Sequence, residues 1–462
     1  MPTTYTEAAV LHELIEQLSR ARQQTDDLFA IVNPESLYER PIAERHRIVF
    51  YIGHLEAFDW NLLQPVLGLK AFHPEFDRLF AFGIDPVGGG LPSDQASQWP
   101  SIVAIHDYVR KIRGVLDQKL PEALDSNGAG RDGFPLATLL NVATEHRLMH
   151  AETLAYMLHQ LPLDRKVRLP KSADLVAPPV DHRSIEISAG SVTLGLSRSS
   201  NSFGWDNEFA AHDVDIPAFA IDRYKVTNRQ YREFIEAGGY ESRSLWSADG
   251  GETDGRDADV TDNDWNWKSR QGISHPAFWK HDGNQWLYRT MFHDVPLPLD
   301  WPVYVSQAEA KAYAKWAGKS LPTEAEWQRA AYSSPNDNGN GKDKEQHYPW
   351  GNEAPSAAFG NFDFARWNPV PVNAFPAGQS AFGVQGMLGN GWEWTSTEFA
   401  PFPGFEPFPF YRGYSADFFD GKHFVMKGGS ARTAACMLRP TFRNWFQAHY
   451  QFIYTGFRCV NR

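Results

Sequence analysis

The chain has 462 residues, 42% of them hydrophobic and 22% charged, with 16 Trp, 17 Tyr and 31 Phe. That length exceeds one ordinary core and predicts two or three domains. A formal charge of -12 with no long Lys/Arg cluster argues against nucleic acid as a partner. No apolar run nears the roughly 20 residues of a membrane span, the N-terminus lacks a signal peptide's apolar block, and Cys436 and Cys459 are too few for a disulfide framework. A cytoplasmic protein without a membrane partner is expected.

Residues 1–165 read as helices. "TEAAVLHELIEQLSRARQQTDDLFAIV" (6–32) has apolar residues at helical spacing with Thr6 as N-cap, and "PIAERHRIVFYIGHLEAFDWNLLQPVL" (41–67) places Pro41 in a first turn before a mostly apolar stripe. "PSIVAIHDYVRKIRGVLDQKL" (100–120) and "PLATLLNVATEHRLMHAETLAYMLHQL" (135–161) complete an up-and-down bundle, whose interior can hold a ligand or metal. Residues 166–183, with three prolines and little periodicity, read as a linker. From 184 to 462 the pattern changes: "IEISAGSVTLG" alternates like a strand, and Gly, Asn, Asp and Trp are frequent. Two helices stand out there, Thr227 to Gly238 and Ser306 to Gly318, each with an N-cap and a glycine stop. The fold class is α+β in two domains, a four-helix bundle followed by a mixed α/β domain with much irregular structure. No internal repeat is found.

Histidines carry the chemistry. His146 and His150 lie four apart on a helix, separated by about 40° and one turn, so both rings can reach one ion. Two polar residues sharing a face is the other reading, although Asn141, Val142, Thr153 and Leu154 make that face mostly apolar. His54 sits in "VFYIGHLEAFDW" (49–60), a helix apolar enough to be central, where an unpaired imidazole would be costly. Three inward histidines from two helices form a facial set that leaves up to three positions of an octahedral ion open. Imidazoles suit Zn, Ni, Cu or Fe. Glu152, about 200° round from His150, either holds another ligand's ring N–H or is an ordinary solvent-facing or helix-packing carboxylate.

Six ordered motifs mark the second half: "KVTNRQYREFIEAGGY" (225–240), "LPTEAEWQRAA" (321–331), "YPWGN" (348–352), "GMLGNGWEWTST" (386–397), "KGGSART" (427–433) and "TGFRCV" (455–460). They resemble the formylglycine-generating-enzyme, or sulfatase-modifying-factor, domain, a C-type-lectin-like fold. Those enzymes hold copper with two nearby cysteines, whereas Cys436 and Cys459 are 23 positions apart, so that activity is not expected. A DinB-type bundle with a distant His and H-x3-H-x-E, fused to such a domain, resembles the sulfoxide synthases of ergothioneine and ovothiol biosynthesis and the selenoxide synthase of selenoneine biosynthesis.

That resemblance implies a nonheme-iron oxidoreductase in which His54, His146 and His150 hold Fe(II), and O2 drives formation of a C–S or C–Se bond at C2 of the hercynine imidazole. By motif match Asn444 and Trp445 contact hercynine, and Met149 stands where a substrate-binding glutamine occurs in relatives. The donor pocket would include Phe446, Phe408, Phe410 and Arg443, with Tyr411 or Tyr414 as acid/base. Enzymes that use γ-glutamylcysteine carry an acidic residue at the Phe446 position and arginines in the connection that is here "FGIDPVGGGLPSDQASQWP" (82–100), which has none. A selenosugar donor is therefore expected, with cysteine or γ-glutamylcysteine as the thiol alternatives. A thiol S-transferase without O2 chemistry and a non-catalytic binding protein are the rival readings. Structural Ca2+ in the second domain is suggested by Asn/Asp-rich turns such as "GNFDFA" (360–365).

Overall fold

A computed structural model describes residues 7–81, 92–123, 130–169, 175–247, 264–335 and 344–462. Thr6 and the 82–91 part of the arginine-free connection lie outside the described residues. The chain divides into two units, Met1–Pro170 together with Phe408–Tyr411, and Lys171–Pro407 together with Arg412–Arg462.

The first unit is helical: α1 (Glu7–Phe29), α2 (Ile48–Leu63), the short α3 (Pro74–Leu79), α4 (Ile102–Ala123) and α5 (Leu136–Gln160). α1 packs on α5, and α2 packs on both α4 and α5. α4 buries a single stripe, Ile105, Tyr108, Val109, Ile112, Leu116 and Leu120, the three- and four-residue spacing of a helix with one face on a core. α2 and α5 are buried almost all round. Pro41 does not open α2, as its position suggested. The helix begins at Ile48 because its first amides are satisfied from outside: Ile48 N–H donates to Glu39 O and Val49 N–H to Leu37 O. Arg47 holds that preceding turn by donating to Tyr38 O and Asp94.

In the second unit, strand Trp392–Glu398 pairs antiparallel with His423–Lys427, which pairs with Asn444–Gln447, and Thr455–Gly456 joins in parallel on the other side. In smaller sheets Phe219–Asp222 pairs with Ser184–Ile187 on one side and Val460–Asn461 on the other, and Gly190–Leu194 pairs with His212–Ile216. The helices are α6 (Asn228–Glu236), α7 (Asp264–Gln271), α8 (Gln307–Trp316) and α9 (Glu324–Tyr332). α6 and α8 carry the expected caps, with reciprocal side-chain and backbone bonds between Thr227 and Gln230 and between Ser306 and Glu309. Gly238 and Gly318 follow them with φ of 78° and 67°. α7 and α9 were not anticipated. α9 has the same capping box, Thr323 with Glu326, but only nine residues before Ser333 turns into a strand, so its periodic signal is short.

Four of the six motifs meet at one carboxylate. Glu393 is buried and accepts from Arg458 at 2.5 and 2.8 Å, from the Trp327 indole at 3.1 Å and pairs with Lys225 at 3.0 Å. Burial raises the Glu393 carboxyl, but Arg458 and Lys225 outweigh it and hold the group ionised. Trp327 also anchors the apolar core with Ile187, Ile221, Met387 and Leu388. No described helix is long and apolar enough to cross a membrane.

Candidate metal centre

Within the first unit, α2 and α5 bring His54, His146 and His150 together, all buried, with ring nitrogens within 4.8 Å of one another. Among the described residues this is the one cluster of three or more His, Cys, Asp or Glu ligand atoms so close. His150 Nε2 lies 3.1 Å from His146 Nε2 and 3.2 Å from His54 Nε2. The His54 tautomer follows from chemistry. Its Nδ1 is 2.6 Å from the Phe80 carbonyl oxygen, which only accepts, so Nδ1 carries the proton and Nε2 presents a lone pair to the other rings. Nδ1 of His146 and of His150 has no partner among the described residues.

Burial lowers all three imidazoles. His54 falls to about 4 even though its bond to Phe80 opposes the shift. His146 and His150 fall well below the usual value, through burial first and then through the neighbouring histidines, with Arg147 adding to both. Neutral rings are the ligating form. Facing lone pairs repel unless a cation or proton lies between them. With a metal–nitrogen bond of about 2.1 Å, two ligands at right angles would stand about 3.0 Å apart. The observed 3.1 Å from His150 to His146 and 3.2 Å from His150 to His54 match that spacing for two of the three ligand pairs, and the third pair lies within 4.8 Å.

Aromatic rings wall the cluster. Phe50 stacks on His54 at 4.8 Å between centroids, and Phe58 on His146 at 3.4 Å. Tyr411 belongs to this unit, 5.2 Å from Phe58 and 6.0 Å from His146, while Phe408 and Phe410 each contact Phe134 at 5.2 Å. Met149 is half-buried on α5. Glu152 is buried there too, its carboxylate outside the three-histidine group. The reading of residues alone missed Phe80 and Phe58. Phe58 carried a signal, its four-residue spacing from His54.

In the second unit Asn444, Trp445 and Phe446 lie on one strand, opposite Met426, Val425 and Phe424. Trp445 stacks on Phe399 at 4.1 Å and meets Tyr414 edge-on at 5.4 Å, and Tyr414 stacks on Trp205 at 4.0 Å. The Asn444 side-chain oxygen accepts from Trp445 N–H at 2.9 Å, and Phe446 lies 5.2 Å from Tyr450. Arg443, expected in the donor pocket, turns inward instead. It is buried, donates to Glu324 at 3.0 to 3.2 Å and to Ala400 O, and lies over the Phe402 ring at 4.0 Å. A guanidinium out of water needs a carboxylate, and Glu324 supplies it. In the "GNFDFA" turn Asp363 accepts from Ala435 N–H and the Asn361 amide donates to Asn368 O and Asn390. Cys436 is exposed and Cys459 buried, both as free thiols.

Residues 174–462 match the sulfatase-modifying factor enzyme 1-like domain. Over 457 residues the chain is 38% identical to the hercynine oxygenase of Mycolicibacterium smegmatis, covering 95% of this chain and 99% of that one. It is 37% identical over 357 residues to the hercynine oxygenase of Mycolicibacterium thermoresistibile, covering 76% and 74%. With ergothioneine biosynthesis protein 1 of Neurospora crassa it shares 28% over 496 residues, 92% of this chain and 55% of that protein. Identity of that extent from end to end means that the chain belongs to the hercynine oxygenase family, the ergothioneine-type sulfoxide synthases in which a sulfatase-modifying-factor-like domain forms the C-terminal part.

Proposed function

We propose that this protein is a nonheme-iron, O2-dependent enzyme that joins a chalcogen donor to C2 of the hercynine imidazole, with a selenosugar as the preferred donor. The observation that carries this reading is the convergence of three buried, neutral imidazoles through their Nε2 atoms, in a chain that matches a hercynine oxygenase over nearly its whole length. Bound Fe(II) would supply O2 binding and one-electron chemistry. The balance closes without another reductant. Selenol, C2–H and O2 give the selenoxide and water: forming C–Se and oxidising selenium together deliver the four electrons that O2 takes up.

The remaining roles fall to side chains. His54, His146 and His150 would hold the ion without neutralising its charge, so that an anionic donor would be favoured at this site. Trp445 offers an aromatic face to the trimethylammonium group and Asn444 a polar contact, while Met149 gives an apolar wall. Tyr411, 6.0 Å from the His146 ring, is the acid/base that handles the C2 proton or supplies an electron. Tyr414, buried against Trp205, keeps a packing role. For the donor, both arginines of the 439–452 segment are committed to buried carboxylates, Arg439 to Glu208 and Arg443 to Glu324. A donor bearing two carboxylates finds no free guanidinium from that segment, whereas an uncharged sugar needs none. Phe408, Phe410 and Phe446 supply apolar rings for it.

Purified protein with Fe(II), O2 and hercynine should consume a selenosugar faster than cysteine or γ-glutamylcysteine. The reverse ranking would assign it a thiol donor. Turnover with zinc under argon would remove the oxidative reading altogether. His150→Ala is expected to abolish iron loading and product formation together.

A further inference from the structure

Arg147 follows His146 directly and is fully buried on α5. Its Nη2 donates to Leu55 O at 3.0 Å and to Asp59 Oδ2 at 2.6 Å, both on α2. Its Nη1 lies 3.0 Å from Glu56 Oε1 and donates to Thr25 Oγ1 of α1 at 3.4 Å. Leu55 is the residue after His54. One guanidinium therefore grips α2 beside its ligand histidine from a point beside the ligand histidine of α5.

All four long helices enter this network. Arg113 of α4 donates to Glu56 at 2.7 and 2.9 Å and to both oxygens of Asp26 on α1 at 2.7 and 2.9 Å. Arg22 of α1 donates to Asp117 of α4 at 2.5 Å and comes within 4.0 and 3.9 Å of Glu56 and Asp59. Buried ion pairs of this kind add little stability beyond what apolar side chains of equal volume would give, and their best-attested use is to fix register.

Register is what three ligands on two helices need. A slip of one residue along a helix moves a side chain by about 1.5 Å. His146 and His150 would move together on α5, but the 3.2 Å from His150 to His54, which crosses from α5 to α2, would not survive such a slip, and the three nitrogens could no longer share an ion. An apolar interface resists small slips weakly. The bond from Arg147 to Leu55 O would stretch from 3.0 Å to beyond hydrogen-bond range.

Resting on the reading of the histidine cluster as a metal site, we propose that Arg147, through Leu55 O, Asp59 and Glu56, is a positioning residue that sets the axial register of α5 on α2 and so holds His146 and His150 against His54. It touches none of the imidazoles in this role and acts through the two helix backbones.

The test titrates cobalt(II) into metal-free, full-length protein under argon, reads the visible absorption bands of the bound ion, and follows thermal unfolding of the same samples. Arg147→Met/Asp59→Leu removes one charge of each sign. It is expected to unfold near the wild-type temperature yet bind cobalt about tenfold or more weakly, with shifted bands. Leu158→Ala truncates a buried residue two turns beyond His150 and is expected to lower the midpoint while leaving cobalt affinity unchanged. Wild-type affinity in the double variant overturns the proposal, and so does an equal loss of affinity in Leu158→Ala. Equal binding by wild type and His150→Ala would instead overturn the metal-site reading itself. Should the double variant fail to fold, Asp59→Asn, which keeps the side-chain shape, is expected to show the same weakening, and wild-type affinity there overturns the proposal.

Discussion

Gly53 precedes the first histidine of the cluster, and its missing side chain makes room for Phe80. A methyl group there would stand 2.5 Å from Cδ1 and Cε1 of the Phe80 ring, against about 3.5–4.0 Å for ordinary carbon contact. Phe80 is fully buried and boxed by Phe50, Phe76, Trp99 and Tyr108, so its ring retreats only if its backbone follows. A retreat of about 1 Å would lengthen the 2.6 Å bond from His54 Nδ1–H to Phe80 O to about 3.6 Å, which is no longer a hydrogen bond. Overpacking of this size costs about 1–3 kcal/mol, and Gly→Ala in a helix returns about 1 kcal/mol. Gly53→Ala is thus expected to lose about 0–2 kcal/mol, a drop of a few degrees in unfolding temperature. Metal binding should suffer more. Without its carbonyl partner the His54 ring can turn or exchange tautomer, and losing such an outer partner weakens metal affinity about 10–100-fold. Anaerobic iron(II) calorimetry beside differential scanning fluorimetry separates the two effects. A variant that melts at or above the wild-type temperature with unchanged iron affinity would refute the reasoning and show that Phe80 takes the methyl by ring movement alone.

Three further outcomes are expected. In the metal-free protein burial holds the His54 imidazole down at about 4 when folded, against the ordinary 6.5 of the unfolded chain, so protons bind the unfolded chain first. The stability is whole above about pH 6.5 and is lost as pH falls toward 4. For His54 alone the loss is about 3 kcal/mol over that range, more with His146 and His150. Urea unfolding at pH 7 and pH 5 that gave equal midpoints would contradict the depressed values. Tyr411→Phe should cut product formation at least tenfold with cobalt affinity unchanged, while Tyr414→Phe stays near wild type; equal losses in the two would remove the assignment. Arg443→Met strands Glu324 in the interior and is expected to destabilise by about 3–5 kcal/mol, tempered by Lys427 at 3.9 Å. A raised donor KM at unchanged stability would return Arg443 to the donor pocket.

The residues differ in how much of this could be read from the chain alone. The histidine pair was legible because a helix converts a four-residue interval into a shared face, and His54 because a polar residue in an apolar helix draws attention to itself. Arg147 was not, since an arginine among Glu and His reads as a solvated face until Glu56 and Asp59 arrive from another helix. Arg443 shows the same blind spot in reverse. Its aromatic neighbours suggested a ligand pocket, and Glu324, 119 positions away, claims it instead. Phe408–Tyr411 lacks any periodicity that would assign it to the helical unit.

The hardest feature to foresee was which nitrogen of each ring faces inward. Sequence places an imidazole but not its lone pair. For His54 that choice is made by a backbone carbonyl 26 positions away, and a carbonyl has no residue type to recognise. Because Phe80 O accepts from Nδ1–H, Nε2 is left to meet the other two rings. Were Nδ1–H turned toward them, His54 would donate to His150 and the cluster would be a hydrogen-bonded trio rather than a ligand set. On the proposed reading of the cluster as a metal site, holding an ion depends on the turn that ends α3 as much as on the histidines, which is why a methyl group on Gly53, placed against the Phe80 ring, is expected to weaken it.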